Sequence, residues 1–176
     1  METTKNNLPP DVKAFFKDLS DYLGTKILFF GSVQRSDYIP GKSDIDVDIF
    51  TDNENSTLAK LKGYLGTKRE KVKKVVWTIT ETGKTVYGYK LSYKNEDETL
   101  RVEFSVYNDK FQDAVTKEHQ KKFVIPFYCT VMLWLLKLLY YQLNIISNDT
   151  FRYYKNLALT VCIGYPENEF IILEPK

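Results

Sequence analysis

The stretch FGSVQRSDYIPGKSDIDVDIF, residues Phe30–Phe50, decides the fold. Near its end three aspartates, Asp44, Asp46 and Asp48, alternate with aliphatic residues. A period of two is typical of a β-strand, so we expect the carboxylates on one face and the aliphatic side chains in a core. Because like charges on one strand face repel, the pattern favours a neutralising cation, above all Mg²⁺. Such an ion usually takes further ligands from a substrate's phosphates, which indicates phosphoryl or nucleotidyl transfer.

A Gly-Ser pair, Gly31–Ser32, follows the apolar run Ile27–Phe30. A glycine just after a strand lets the backbone approach a ligand closely. A serine at a following helix N-terminus offers its hydroxyl and free backbone N–H groups to a phosphate. Taken alone, a Gly-Ser pair usually marks a turn and an Asp-x-Asp pair a solvated edge. In this order and at this spacing, the two motifs together predict a phosphate site beside a metal site.

These motifs resemble the active-site signature of the DNA polymerase β-like nucleotidyltransferase superfamily. The closest likeness is to noncanonical poly(A) polymerases and terminal uridylyltransferases, whose pattern reads roughly GS-x(3)-G-x-Y-x-P-x-SDID. The residues that carry it here are Gly31–Ser32, Tyr38–Pro40 and Ser43–Asp46. Two departures are visible, because Ser36 stands where the family has a second glycine and one extra residue precedes Ser43. The resemblance implies an α+β fold, with a mixed β-sheet core like the polymerase β palm and C-terminal helices packed on it.

A third acid is expected on a later strand. Two extended stretches, Thr85–Tyr93 and Thr99–Tyr107, predict a hairpin. In its second arm Glu103 alternates with apolar neighbours and completes a three-carboxylate site if that arm pairs beside the Asp44 strand. The resembled family carries its third acid, usually Asp, in a V-D-h-S-h strand, where h is apolar, and Val102–Val106 is similar with Glu in place of Asp. The alternative is an exposed glutamate beside Arg101.

The resemblance implies the chemistry of an NTP-dependent nucleotidyltransferase. Asp44, Asp46 and Glu103 would hold two Mg²⁺ ions, for which Mn²⁺ is a possible substitute, while Gly31–Ser32 and Lys137 bind the phosphates of the NTP. Glu103, or a metal ion assisted by it, would help to remove the acceptor's proton. Asp48 lies two residues beyond the family pair and is given no role as a ligand. The acceptor is an RNA 3′ end, a small molecule or a protein side chain, and the alternative is a catalytically idle nucleotide-binding or scaffold subunit.

Lys137 is the single charge in the apolar stretch Phe123–Ile146, which at 24 residues is long enough to span a bilayer. A lysine in mid-membrane is costly, so we expect a buried helix under the catalytic sheet instead. In the resembled enzymes a lysine in an L-h-h-L-K helix reaches the triphosphate, and Leu135–Leu139 looks similar. A lysine snorkelling from an apolar helix is the alternative. The residues on one helical stripe of this stretch are Thr130, Trp134, Lys137, Tyr141 and Asn144.

Composition limits the remaining possibilities. The 176 residues carry a net charge of +2 and predict one compact unit, with a catalytic core over 1–108 and a helical segment over 109–176. So small a charge does not indicate a broad nucleic-acid surface. The basic run Thr67–Lys74 is interpreted as a solvated strand entrance, or alternatively as a contact for an acceptor's phosphates. The oligomeric state is left open.

Two residue types bear on location and on other reaction classes. Cys129 and Cys162 stand among apolar neighbours and indicate neither a disulfide framework nor a zinc site, so we expect a cytoplasmic protein without stable membrane association. The only histidine, His119, lies in a charged segment and is expected at the surface. A Ser-His or Cys-His hydrolase is therefore disfavoured.

The remaining elements follow from periodicity and from capping residues. Helices are predicted from Pro9 to Leu23 and from Asn53 to Gly66. The predicted C-terminal helices are Asp109–Lys121, Pro126–Asn144 and Asn148–Cys162. The predicted remaining strands are Lys26–Phe30, Asp44–Thr51 and Val75–Ile79, with Asn168–Leu173 as a last strand or docked tail.

Overall fold

A mixed β-sheet lies at the centre of the computed structural model, which describes residues 2–66, 72–79 and 81–163 and the backbone of 171–173. Six strands of the described chain follow the order β1-β2-β5-β4-β3-β6. Neighbouring strands are antiparallel except β2 and β5, which are parallel. The prediction of an α+β fold with a mixed sheet and C-terminal helices is confirmed. The strands are β1 (Ile27–Phe30), β2 (Ile45–Thr51), β3 (Lys73–Thr78), β4 (Thr85–Lys94), β5 (Arg101–Asn108) and β6 (Ile171–Leu173).

The helices begin and end where local signals place them. The first has proline at its first position and ends at Gly24, whose φ of +67° is left-handed. In the second, the Asn53 side chain accepts a hydrogen bond from the Ser56 backbone N–H at 3.0 Å. A single 3₁₀ turn, Gly31–Gln34, follows β1, and a π-helical turn, Leu138–Gln142, follows the fourth helix. The helices are α1 (Pro10–Leu23), α2 (Glu54–Leu65), α3 (Gln112–Gln120), α4 (Phe127–Lys137) and α5 (Asn148–Ile163).

One face of the sheet carries the main core. The aliphatic residues that alternate with the aspartates of β2 point into it: Ile45 is 2% exposed, and Val47 and Ile49 are fully buried. Helices α1 and α2 cover this face through buried residues such as Leu19 and Leu61. The alternation in β2 therefore sorts the apolar side chains from the acids, as the period of two predicts. The acids belong to the other face.

The opposite face is covered only in part. A smaller core there joins α3 to the sheet, through Val115 of α3 and Trp77, Val86 and Tyr107 of the strands. Beyond the reach of α3, the same face carries Asp46 of β2 and Glu103 of β5, and both line a cleft. This half-covered face gives the acids access to a ligand.

The interpretation of Phe123–Ile146 as a buried helix under the sheet is wrong. Helix α4 packs mainly against α5, and of its residues only Cys129, Leu133 and Lys137 are buried. Phe127 is 82% exposed and Trp134 48%. Because nearly every residue of this helix is apolar, its sequence does not mark the side that faces solvent. No helix among the described residues has both the length and the apolar character to cross a bilayer.

Cys129 and Cys162 form a disulfide that joins α4 to α5. The expectation of two unpaired cysteines was wrong, because two half-buried helices that are distant in sequence give no local signal of pairing. A cytoplasmic location stays a prediction, and it loses the support that unpaired cysteines gave it.

Two predictions concern segments that are described only in part. In the basic run, residues 67–71 lie outside the described residues, while Lys73 and Lys74 are exposed at the start of β3. At the C-terminal end, the backbone of Ile171–Leu173 pairs antiparallel with β3, so that part of the predicted last strand is confirmed. The division of the chain at residue 108 stays a prediction.

Gly88 of β4 tests the packing of the smaller core. An added Cβ there would lie 2.5 Å from Cδ1 of Tyr107 and 2.6 Å from the carbonyl oxygen of Val106. We expect Gly88→Ala to lower the free energy of unfolding by about 2–3 kcal/mol, because the Tyr107 ring must move within a packed core. Urea denaturation measures the change.

Gly63→Ala is the matched control. Gly63 lies on helix α2, and an added Cβ there would meet only the Tyr22 hydroxyl, at 3.7 Å. Alanine is the better helix former, so the control should be neutral or gain up to about 1 kcal/mol. Equal losses for both variants would contradict the packing described for Gly88.

Candidate active site

At Gly31 the backbone lies directly against the side chain of Asp46. The φ of Gly31, +69°, lies in the left-handed region, and a Cβ at this position would overlap the Asp46 carboxylate. Phe30, the last residue of β1, pairs with Asp46 across the antiparallel ladder. The Ser32 hydroxyl makes only a long hydrogen bond of 3.4 Å to the carbonyl oxygen of Asp44. The Gly-Ser bend and the acidic strand are therefore in direct contact, and phosphate binding by Gly31 and Ser32 stays a prediction.

The parallel pairing of β2 with β5 brings the second and third predicted acids together. In its register Asp46 stands opposite Glu103 and Asp48 opposite Ser105. Neighbouring strands lie about 4.8 Å apart, so the two carboxyl groups share one face of the sheet at adjacent positions. Asp44 precedes β2, is exposed and lines the same cleft. The structure thus places all three predicted acids around one opening, and their catalytic role stays a prediction.

The charges on these acids are unevenly balanced. Burial and the neighbouring charge of Glu103 raise the pKa of Asp46 to about 6, and Asp44 adds to the effect. Lys155 and Lys90 act in the opposite direction. Glu103 itself accepts a hydrogen bond from Lys90 Nζ at 2.6 Å. The anionic form of Asp46 is therefore disfavoured in the folded protein, while Glu103 forms an ion pair with Lys90.

Carboxylate oxygens are ligands that suit a hard divalent cation, although those of Asp44, Asp46 and Glu103 do not converge on one position. Within residues 2–66, 72–79 and 81–163, no three Asp, Glu, His or Cys side chains form a cluster that could hold a metal ion. The ion pair between Lys90 and Glu103 and the exposed position of Asp44 account for this. Three carboxylates on one wall, one of them disfavoured as an anion, are ligands of the kind that Mg²⁺ prefers, and binding of Mg²⁺ stays a prediction.

The cleft is large enough for a nucleotide. Its volume is about 680 Å³, within the range of small-molecule sites. The sheet forms one wall, and residues of α5 and the π-helical turn form the other. A second cavity of about 620 Å³ is lined by residues of the first 29 positions and carries none of the three acids. The basic residues of the larger cleft are Arg35, Lys90, Arg101, Lys122, Lys137, Arg152 and Lys155.

Lys137 lies inside the protein and is bound to the loop before β2. Its Nζ is 2.9 Å from Oδ2 of Asp37 and donates to the Asp37 carbonyl at 2.6 Å and to the Ser43 hydroxyl at 3.1 Å. Arg35 holds the other oxygen of Asp37 at 2.8 Å. The side chain is 4% exposed, so the alternative of a snorkelling lysine is wrong. Contact of Lys137 with a triphosphate stays a prediction.

Electrostatics supports this buried ion group. Burial acts to raise the pKa of Asp37, but the charges and hydrogen bonds of Arg35 and Lys137 outweigh it and hold that pKa below its usual value. Burial lowers the pKa of Lys137, and Asp37 opposes that shift. Both partners therefore depend on each other for their charged state.

The prediction of His119 as a surface residue is wrong. The side chain is 4% exposed and its Nδ1 lies 2.7 Å from Oδ2 of Asp48, which is fully buried. The imidazole stacks on Phe30 at 4.1 Å and lies parallel to the Trp77 ring at 6.1 Å. The prediction failed because the residues next to His119 in the sequence are charged, which is typical of a solvent-exposed segment. Its spacing of four residues from the buried Val115 is the helical signal that could have found it.

Other residues of the cleft carried little signal in the sequence. Lys155 of α5 is close enough to lower the pKa of Asp46, yet it is 109 residues away along the chain. Lys122 follows α3, and burial lowers its pKa to about 8. Lys90 pairs opposite Ser105 across β4 and β5, next to Glu103. Only strand pairing or helix docking brings these groups to the site, and neither can be read from local spacing.

Comparison with known proteins identifies one family. A sequence model of the nucleotidyltransferase domain matches residues 11–124, from the first turn of α1 to just beyond α3. The match covers about two thirds of the chain and includes all three acids of the cleft. No curated protein matches the chain.

Asp46→Asn should stabilise the metal-free protein. The pKa of Asp46 is higher in the folded chain than its ordinary value of 3.8, so ionisation costs stability as the pH rises between these two values. After discounting for partial exposure, we expect the variant to be about 2 kcal/mol more stable at neutral pH and equally stable below about pH 4. Denaturation in the presence of a chelator at a series of pH values measures the difference. The control is Glu98→Gln, at an exposed hairpin position, and a destabilised Asp46→Asn at neutral pH would contradict the assignment.

Lys137→Met should destabilise the protein. It removes the cation from a buried ion group and leaves Asp37 with Arg35 alone. We expect a loss of about 3 kcal/mol, as for other broken buried pairs. Lys117→Met, at an ion pair that is 73% exposed on the lysine side, is the control and should cost less than about 1 kcal/mol. Equal stability of Lys137→Met and wild type would mean that the Asp37 contact is not formed in solution.

Proposed function

Because the chain belongs to the nucleotidyltransferase domain family, we propose that it moves a nucleoside monophosphate from an NTP to an acceptor hydroxyl in a Mg²⁺-dependent reaction. The observation that carries the proposal is the register of β2 and β5, which sets Asp46 against Glu103 at the floor of a nucleotide-sized cleft. An unrelated pair of strand acids has no reason to share such a cleft with a glycine bend that touches one of them.

Asp44, Asp46 and Glu103 are the groups that would hold Mg²⁺. When bound, the metal lowers the pKa of the acceptor hydroxyl and neutralises charge on the departing pyrophosphate. Glu103 would leave its ion pair with Lys90 to take part, while the raised pKa of Asp46 favours any partner that stabilises its anion. The fully buried side of β2 keeps the strand, and with it the spacing of the acids, fixed during the reaction.

The triphosphate is proposed to lie between the Gly-Ser bend and α5. Because Gly31 has no side chain, a phosphate can approach its backbone closely, and the Ser32 hydroxyl can donate a hydrogen bond to that phosphate. Lys155 acts on the charge of Asp46 from α5, which places a cation close to the metal acids. Lys137 is already bound by Asp37. We therefore propose that it supports phosphate binding indirectly, by holding the loop that contains Ser43. Fixed cations in a cleft stabilise the charge that develops in phosphoryl transfer.

An RNA 3′ end is the proposed acceptor. Seven basic residues line the cleft against three acids, although the whole chain is nearly neutral. Asp37 already holds Arg35 and Lys137, and Glu103 holds Lys90, so Arg152 and Lys155 of α5 are the cations that we propose for a polyanionic strand. Aromatic rings line the same opening, among them Tyr140 and Phe151, which stack at 4.6 Å. Such rings accept a base in a sequence-tolerant way. A small molecule or a protein side chain as acceptor would not need this excess of positive charge.

A second candidate is a catalytically idle subunit that binds nucleotide. The ion pair between Lys90 and Glu103 favours it, because it already neutralises the third acid. An idle subunit would bind NTP in the cleft without breaking that pair.

Asp46→Asn should abolish transfer. Incubation with each of four labelled NTPs, Mg²⁺ or Mn²⁺ and a panel of RNAs shows incorporation on a gel, and the variant should lose at least about 10³-fold because it removes a metal-binding charge. Glu98→Gln, which lies on the exposed hairpin, should keep wild-type activity.

The outcomes separate the two candidates. Mg²⁺ should raise the melting temperature of wild type in the presence of NTP more than that of Asp46→Asn. Binding of NTP without incorporation by wild type, under any metal and acceptor tested, supports the idle subunit. Undiminished incorporation by Asp46→Asn would overturn the proposed site.

A further inference from the structure

A buried carboxylate and imidazole lie beside the predicted metal acids. Asp48 follows Asp46 by one strand period on the same face of β2 and is fully buried. Its Oδ2 lies 2.7 Å from Nδ1 of His119, and its Oδ1 has no hydrogen-bond partner among the described residues. A buried carboxylate with one strong hydrogen bond and one open oxygen is costly, so its persistence needs a reason.

The geometry fixes the imidazole of His119 in its plane. Phe30 stacks on one side at 4.1 Å and 14°, and Trp77 lies parallel at 6.1 Å and 7°. Asp48 accepts the hydrogen bond from Nδ1, so the neutral ring carries its proton on that nitrogen. The other nitrogen, Nε2, then presents a lone pair.

The side chain of His119, which carries this lone pair on Nε2, lines the cleft. His119 lines the same opening as Asp44, Asp46 and Glu103, and within the described part of the chain Nε2 makes no hydrogen bond. A neutral imidazole oriented through Nδ1 by a carboxylate is the arrangement of a general base. Among the described residues, the hydrogen bond recorded for His119 is the one with Asp48, which orients the ring.

Glu103 is poorly suited to the same task. Its carboxylate is bonded to Lys90 at 2.6 Å, and the proposed reaction uses it as a metal ligand. In the proposed function all three acids are metal ligands, so a base for the acceptor hydroxyl lies outside them.

We propose that His119, oriented by Asp48, takes the proton from the acceptor hydroxyl during nucleotide transfer. In this step the acceptor oxygen forms a bond to the α-phosphorus, and the bond from that phosphorus to the pyrophosphate oxygen breaks. Pyrophosphate leaves with the electron pair, and the proton moves from the acceptor oxygen to Nε2. Asp48 stabilises the imidazolium, which then returns the proton to water. The inference rests on the proposed function, and it gives His119 the role of base that the family resemblance implied for Glu103.

Several charged and titratable groups lie around the imidazole. Asp48 bonds to it directly, and the groups that line the cleft with it are Asp44, Asp46, Lys90, Glu103, Tyr107 and Lys122.

His119→Asn is the decisive variant. The asparagine amide can still donate to Asp48, but it has no basic nitrogen. We expect kcat to fall by about 10²–10⁴-fold with little change in KM for the NTP, the usual cost of losing a general base. With Mg²⁺ saturating at every pH, so that protonation of Asp46 does not limit the rate, the decline of wild-type kcat towards low pH should disappear in the variant, a change that a merely structural role would not produce. Lys117→Gln, on the exposed side of the same helix, is the control.

Asp48→Asn tests the positioning role. Its amide can donate to Nδ1, which forces the proton of the neutral ring to Nε2 and removes the lone pair. We expect a comparable loss of kcat together with a switch of tautomer. Because the chain has a single histidine, NMR of its ring nitrogens reports the tautomer without ambiguity when the purification tag contains none. This readout does not depend on activity.

The outcomes distinguish the two levels of the proposal. If Asp46→Asn is inactive but a folded His119→Asn keeps kcat within about tenfold and an unchanged pH profile, the base is not His119 and the transferase function stands. If wild type itself transfers nothing, both proposals fail. An Nε2–H tautomer in the wild-type protein would also overturn the inference, since the lone pair would then face Asp48. Melting temperatures of all variants show that losses of kcat do not come from unfolding.

Discussion

The parallel contact between β2 and β5 is the constraint on which the cleft depends. It is the one parallel pairing of the described sheet, and it brings Asp46 beside Glu103 from strands that are far apart in the chain. A shift of one residue would turn one acid into the main core and an aliphatic residue into the cleft. The buried Val47 and Phe104, which pair in the same register, prevent that shift. The main core therefore sets the geometry of the acids.

Buried charge then fixes the parts that the sheet does not hold. Asp37 links the loop before β2 to α4 through Lys137, and Asp48 links β2 to α3 through His119. Both contacts join a residue next to the acidic segment with a helix from the C-terminal part of the chain. Helices α3 and α4 are thereby tied to the strand and the loop that carry the acids, each through a buried aspartate: Asp37 is shared between Lys137 and Arg35, and Asp48 bonds to His119.

Much of this arrangement could be predicted because it depends on the spacing of residue types within single strands, helices and turns. The period of two in β2 separated the acids from the core, and Gly24, Asn53 and the residues of Gly31–Ser32 marked ends and bends. Predictions failed where the partner is remote. His119 was assigned to the surface because its charged neighbours outweighed its spacing to Val115. The disulfide and the exposed side of α4 had no local signal at all, since each depends on how α4 and α5 meet.

The disulfide between Cys129 and Cys162 gives the cleft a dependence on preparation. It joins the two helices that flank the opening opposite the sheet, one carrying Lys137 and the other Lys155. Buffers for nucleotide-transfer assays commonly contain a thiol reductant, which opens such a bond if it reaches it. Protein purified with reductant and protein purified without it then differ in whether a covalent bond joins α4 to α5.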